Sequence, residues 1–329
     1  MALFRLGVMP ASQGKTWRVF LATVAITATA AWLAITWQRQ ATTVPAVDQP
    51  RLAPGVVLRD VSFYSQALRR EMQYRVFMPQ EALGKELPVV YLLHGGGGTY
   101  RDWSNYSDVA QFAAKGLLLV MPEGDNSYYV NSVERPQDRY DDYIVDDLQA
   151  DVAARFFSGR SILELKASQD TNKNAAQVGW RAIAGVSMGG FGAINLALRH
   201  PERFQFVGAL SGAIDAPRRA FSLRRRNQSK HFRELFGAEG SETRSGNNPF
   251  VLAKRTELKA GPYFYLTCGQ QEGLLAPNQE FADLLTQLKI EHEFHEVPGG
   301  HTWDQWNEQV PEMFEALLQR APMPGKSQR

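Results

Sequence analysis

The chain has a single cysteine, Cys268, among 329 residues. One thiol cannot close an intramolecular disulfide, and no cysteine-based metal site can form around it. A dominant charge of one sign is also missing. Lys and Arg number 36 against 34 Asp and Glu, a formal net charge of +2. So balanced a chain has no strong field to gather nucleic acid. Its one basic patch, "RRAFSLRRR" from Arg218 to Arg226, reads as a solvated loop or, less simply, a contact for an anionic surface. No internal repeat divides the chain.

What is present begins near the N-terminus. "VFLATVAITATAAWLAITW", Val19 to Trp37, has no charged residue and is about long enough to cross a bilayer as a helix. Arg5, Lys15 and Arg18 precede it. Positive charge before the span predicts that the N-terminus stays in the cytoplasm and the rest is exported. Trp32 and Trp37 suit interfacial anchors, so residues 1–37 are read as an uncleaved signal anchor in the inner or plasma membrane. A signal peptide cleaved near Ala28-Thr29-Ala30 is the alternative, and a buried soluble helix the plainest one. With no lipobox cysteine, a lipoprotein is excluded. Residues 38–55 carry three prolines and no apolar period, the composition of a linker. A folded domain is expected over 56–320, followed by a disordered tail over 321–329.

Within that domain, "VVLRDVSFYS" and "REMQYRVFMP" alternate in polarity and read as paired antiparallel strands. "LPVVYLLHGGGG", "LLLVMPEG", "WRAIAGVS", "FQFVGALSG", "GPYFYLTCG" and "EHEFHEVPG" read as further strands, most of them continuous apolar runs of the buried parallel kind. Helical patterns separate most of them, and "YDDYIVDDLQADVAARF" and a last helix from about Thr302 to Gln319 are among these. The alternation predicts an α/β fold: a mostly parallel central sheet with helices on both faces and antiparallel N-terminal strands. Ligands in such sheets bind beyond the carboxyl ends of the strands.

Gly185-Val186-Ser187-Met188-Gly189 sits where the strand "RAIA" gives way to the helix "FGAINLALRH". This is a Gly-x-Ser-x-Gly elbow in its strand–turn–helix context, which presents a serine nucleophile at a helix N-terminus. A structural turn is the plainer reading. An activated serine needs a base. His200 at a helix end, His231 in the basic loop and His292 and His295 on a strand are poor candidates. His94 is placed to buttress the glycine loop. His301 follows the Gly299-Gly300 turn after the last strand and is the expected base. The acid that orients it should lie between Ser187 and His301 at a strand end. Glu272 is the first choice, with Asp215 the runner-up; a solvated loop acid is the simpler reading of Glu272.

Two N–H donors must hold the oxyanion. Met188, next to the nucleophile, supplies one. The other comes from the loop "HGGGGTYRDW", with Gly96 preferred and Gly97 next. That loop lacks the Lys-Ser/Thr pair of a phosphate cradle. Trp103, Tyr128, Tyr129, Trp303 and Trp306 fall near the expected mouth, with Trp103, Tyr129 and Trp303 as candidate substrate-binding residues, or else as packing. The segment 217–250 is a candidate cap.

The segments "VVYLLHGGGGTYRDW", "YDDYIVDDL", "IAGVSMGGFGAINLALRHPERF", "ALSGAID", "YLTCGQQE" and "VPGGHTWDQW" together resemble the esterase D, or putative esterase, family of α/β-hydrolases, from about Leu58 to Leu318. That family includes S-formylglutathione hydrolases, tributyrin and feruloyl esterases and the secreted mycolyltransferases. The resemblance implies a serine carboxylic-ester hydrolase with a Ser187–His301–Glu272 triad, an acyl-enzyme and no metal or organic cofactor. The family usually has aspartate where this chain has Glu272. Glutamate is one methylene longer and serves as the triad acid in other α/β-hydrolases. An acyltransferase using the same triad, and a non-catalytic binding protein, are the rival readings. An export segment argues against a cytoplasmic formylglutathione hydrolase.

Overall fold

The structure is a computed structural model, and it describes residues 47–82, 87–157, 179–220, 222–255 and 261–323. The predicted apolar span 19–37, the first part of the linker and the end of the tail lie outside the described residues. Among the described residues, no helix is long and apolar enough to cross a membrane.

Eight strands form one sheet in the order β1-β2-β4-β3-β5-β6-β7-β8. The two polarity-alternating segments become β1 (Val56–Ser65) and β2 (Arg70–Pro79), an antiparallel hairpin. β2 also runs antiparallel to β4 (Leu118–Pro122). From there the sheet is parallel through β3 (Val89–Leu93), β5 (Arg181–Val186), β6 (Phe206–Leu210), β7 (Tyr263–Gly269) and β8 (His292–Val297).

The continuous apolar runs are explained by burial on both faces. Val89, Tyr91 and Leu93 of β3 join one core layer, and Val90 and Leu92 join the other. β5 divides likewise, Ile183 to the first layer and Ala182, Ala184 and Val186 to the second. Successive strand residues point to opposite faces, so a strand covered on both sides has no polar position to reveal its period. The first layer is closed by the elbow helix Met188–Arg199, which contributes Ile194, Leu196 and Leu198. The second is closed by the final helix Trp303–Arg320, whose Phe314 stacks on Phe112 with ring centroids 4.2 Å apart.

The segment read as one helix from Tyr140 is a composite. An α-turn Tyr140–Asp142 leads into a π-helical stretch Tyr143–Leu148 and then an α-helix Gln149–Phe156. Its buried Asp141 accepts hydrogen bonds from Arg199 and His200 at 2.7 Å each. This pair of contacts pins the C-terminal end of the elbow helix, and it gives His200 a structural partner.

β3 and β5 are neighbours in the sheet, and the connection after β3 leads to β4 on one side while the connection after β5 leads to β6 on the other. The loops at the carboxyl ends of β3 and β5 therefore part at this point, which leaves a crevice. The elbow is built there by close approach. A Cβ on Gly185 would stand 2.3 Å from the Gly189 backbone, and one on Gly189 would stand 2.3 Å from the Leu93 carbonyl oxygen. Strand, helix and neighbouring strand can meet only if both positions lack a side chain. We predict that Gly185→Ala lowers stability by roughly 3 kcal/mol. Gly273→Ala, which would meet nothing within 4 Å, should stay within about 0.5 kcal/mol of wild type. Thermal unfolding of the two variants checks this; equal shifts would contradict it.

Candidate active site

Ser187 links β5 to the elbow helix with φ +56° and ψ −114°, a costly backbone conformation for a residue with a Cβ. Its amide donates to the Leu210 carbonyl at 2.9 Å, and its own carbonyl accepts from Phe191 and Ala213 at 3.1 and 3.0 Å. Those bonds on both sides of the peptide fix the turn that presents the side chain.

The Ser187 hydroxyl lies 2.8 Å from Nε2 of His301. On the other side of the ring, Nδ1 of His301 lies 2.5 Å from Oε2 of Glu272. The Glu272 carboxylate can only accept, so Nδ1 carries the proton and Nε2 is left to accept from the serine. Three residues from the carboxyl ends of β5, β7 and β8 thus form one continuous hydrogen-bonded line. Asp215, the alternative acid, is instead held by a two-point contact with Arg219 at 2.7 and 3.0 Å.

Glu272 stands on a tight turn directly after β7, its amide donating to the Gly269 carbonyl at 3.1 Å. Its side chain is 1% exposed, against 40% for that of His301. Oε1 accepts from Ser211 Oγ at 2.6 Å and from the Gly269 amide at 3.0 Å. Burial pushes the carboxyl pKa up. The hydrogen bonds from His301 and Ser211, with the nearby imidazole, outweigh it and hold the group below the usual glutamate range. Gln270 and Gln271 donate to the carbonyls of Val297 and Gly299 at 2.8 and 3.0 Å, so the turn of the acid and the loop of the base are zipped together.

His301 is followed by Thr302, the N-cap of the final helix, whose hydroxyl accepts from the Gln305 amide. One helical turn further, Trp306 packs edge-on against the His301 ring, centroids 4.8 Å apart, and donates from Nε1 to Ser211 Oγ at 3.0 Å. Ser211, at φ +52°, therefore donates to the acid and accepts from the residue that backs the base. Sequence alone does not mark Ser211 as part of the site. The only signal was its place after an apolar strand in "ALSGAID", and serine there has no spacing that separates it from an ordinary turn. Trp306, expected near the mouth, makes these contacts with His301 and Ser211 and a further one with Trp303.

The glycine loop follows β3. The Gly97 amide is committed to Asn126 Oδ1 at 2.7 Å, and the Gly98 amide to the Gly95 carbonyl at 3.1 Å. Gly97 is therefore a poor oxyanion donor, and Gly96 keeps an N–H with no protein acceptor among the described residues. A Cβ on Gly96 would lie 4.0 Å from Met188 Cβ, so the two candidate donors are neighbours across the crevice. His94 is buried beneath them. Its Nδ1 faces the Gly95 carbonyl at 2.8 Å and its Nε2 faces the Gly124 amide at 2.9 Å.

Two of the three expected substrate-binding aromatics do not line an open surface. Trp103 is 1% exposed and donates to the Leu93 carbonyl, while Tyr129 is fully buried and donates to the His94 carbonyl. Each rings the loop from behind because its polar tip finds a main-chain acceptor there. Trp303 is half-buried, edge-on to both Trp103 and Trp306 at 5.3 Å. Cys268 is buried, and burial pushes its thiol up to about 12, which keeps it protonated and unreactive at neutral pH. No cluster of metal-ligating side chains occurs among the described residues.

The depressed carboxyl of Glu272 gives a signed pH dependence. Its contribution to stability is complete above the pKa of an unfolded glutamate, about 4.3. It is lost as pH falls through the lower folded value. Glu272→Gln lacks that contribution at every pH. Denaturation should therefore show the variant less stable than wild type at pH 7, with the gap closing toward pH 3. A gap that widens on acidification would contradict the assignment.

Comparison with known proteins bears on the family and the fold. The family model described as putative esterase matches residues 65–317. The acetyl esterase of Caldicellulosiruptor saccharolyticus is 25% identical over 276 residues, covering 79% of this chain and 97% of that protein. An esterase of Mycobacterium tuberculosis strain H37Rv is 29% identical over 277 residues, or 77% of this chain; the match spans only 56% of that relative. The solved S-formylglutathione hydrolase of Agrobacterium tumefaciens superposes with a TM-score of 0.67 at 20% identity, over 83% of this chain and 98% of its own. With the match covering most of its length and the sheet and elbow described above, the chain belongs to the putative esterase family, enzymes of the α/β-hydrolase fold.

Proposed function

We propose that the chain is a serine carboxylic-ester hydrolase in which Ser187, His301 and Glu272 work as a triad through an acyl-enzyme. The observation that carries this reading is the unbroken line Ser187 Oγ–His301 Nε2 at 2.8 Å and His301 Nδ1–Glu272 Oε2 at 2.5 Å. His301 takes the serine proton as the hydroxyl attacks the ester carbonyl. Glu272 keeps the ring in the required tautomer and stabilises it when charged. The amides of Gly96 and Met188 hold the oxyanion, each donor worth roughly 10²–10³ in rate, and the N-terminus of the elbow helix adds its positive end. His301 then protonates the leaving alcohol, and water resolves the acyl-enzyme.

The relative from Caldicellulosiruptor is named an acetyl esterase, which makes short acyl groups the first substrates to try. An acyltransferase would use the same acyl-enzyme and resolve it with a sugar or lipid alcohol; product analysis with added acceptor separates the two. The site of action in this proposal is the extracytoplasmic face of the inner or plasma membrane. The uncharged segment 19–37 after Arg5, Lys15 and Arg18 supports that placement.

The test is hydrolysis of p-nitrophenyl acetate and butyrate. Ser187→Ala should fall to background, and Glu272→Gln should lose about 10⁴-fold in kcat, the scale seen when a triad acid can no longer hold the base in its tautomer. A Glu272→Gln protein within tenfold of wild type would remove Glu272 from the triad.

A further inference from the structure

The loop after β4, from Gly124 to Val130, concentrates unusual backbone. Asp125, Tyr128 and Tyr129 have φ of +46°, +53° and +55°. Strain of this kind persists only where the surroundings enforce it, and here the surroundings are the glycine loop on one side and, on the other, the helix Arg226–Phe236 of the candidate cap segment, here termed the cap helix.

Asn126 joins the two. Its Oδ1 accepts the Gly97 amide at 2.7 Å, and its main-chain carbonyl accepts Nε2–H of His231, on the cap helix, at 2.7 Å. Tyr128, two residues on, packs edge-on against Phe232 and Phe236 of the cap helix and Phe191 of the elbow helix, with centroids 5.2, 5.9 and 5.6 Å away. A Cβ on Gly96 would stand 3.6 Å from Asn126 Oδ1. The side chain of Asn126 and Met188 thus flank the residue whose amide is the proposed second oxyanion donor.

Four successive glycines, Gly95 to Gly98, have the least conformational bias a chain can offer. An oxyanion hole needs the opposite, donors fixed before the charge develops. The Gly95 carbonyl is held by the Gly98 amide and by His94 Nδ1, and the Gly97 amide is held by the side chain of Asn126. By taking the Gly97 N–H, Asn126 fixes the peptide plane that follows Gly96. We infer that Asn126 is a positioning residue for the oxyanion hole, and that its bond to His231 couples the hole to the cap helix. Displacement of the cap then changes turnover, and not merely access. The inference rests on the esterase reading above.

The experiment measures kcat and KM for p-nitrophenyl acetate, with thermal unfolding, on the full chain and three variants: Asn126→Ala, His231→Phe and the double substitution. His231→Phe keeps a ring beside Tyr128 and removes the donor. Asn126→Ala should lower kcat at least roughly tenfold with KM within about twofold. His231→Phe should lower kcat by a smaller factor in the same pattern. Because His231 acts through Asn126, the double variant should be no slower than Asn126→Ala alone. Unchanged kcat in Asn126→Ala, a loss confined to KM, or a double variant whose loss is the product of the two single losses would each overturn the inference. If Asn126→Ala does not fold, unchanged kcat in His231→Phe overturns it, and a kcat loss with steady KM upholds it. An active wild type with indifferent variants defeats this inference alone, whereas an inactive wild type defeats the esterase reading beneath it.

Discussion

The contact on which the site depends is the one between Glu272 and His301. A carboxylate with a 1% exposed side chain is tolerable only if its charge is met on every side. Ser211 and the Gly269 amide meet Oε1, and His301 meets Oε2. Satisfying that one group recruits the end of β6 through Ser211, the end of β7 through Gly269, the loop after β8 through His301 and the final helix through Trp306. The proposed base is therefore oriented by a buried charge whose partners come from the carboxyl ends of three neighbouring strands, β6, β7 and β8. His301 itself is 40% exposed, which leaves its working face open to the serine, the substrate and water.

The other half of the site is set by close packing. Gly185 and Gly189 allow β5, the elbow helix and β3 to meet at distances no side chain would permit. Ser187 is the residue left at the apex, in a backbone conformation held by bonds to Leu210, Phe191 and Ala213. Strain at Ser187 and at Ser211 sits at the ends of adjacent parallel strands. Both strands, β5 and β6, are buried along their whole length.

The parts of this arrangement with a one-dimensional signature were legible in the sequence. Doubly covered strands announce themselves as apolar runs, and alternating polarity marks the N-terminal hairpin, although Tyr74 to Met78 of β2 are buried without a break. Ser187 was marked by its glycines, and His301 and Glu272 by chain order and position after strands. What was hidden depends on meetings between distant segments. Ser211 lies 61 residues from Glu272, and His231 lies 105 from Asn126; neither pairing leaves a spacing to read. Trp103 and Tyr129 were placed near the mouth because they lie close in sequence to loops of the site. The structure turns both inward, where each indole or phenol donor satisfies a carbonyl of the β3–glycine loop junction. The π-helical stretch Tyr143–Leu148 was invisible for a related reason: its apolar residues fit an α-helical period nearly as well.

The central claim is that Ser187 becomes covalently acylated with His301 and Glu272 behind it. Mass spectrometry of the protein quenched in acid during turnover of p-nitrophenyl acetate tests it most directly. The account predicts one acetyl group, located by peptide fragmentation on Ser187, and absent when Ser187→Ala protein is treated in the same way. Turnover with no acyl group on Ser187, or with the group on another residue, would contradict it.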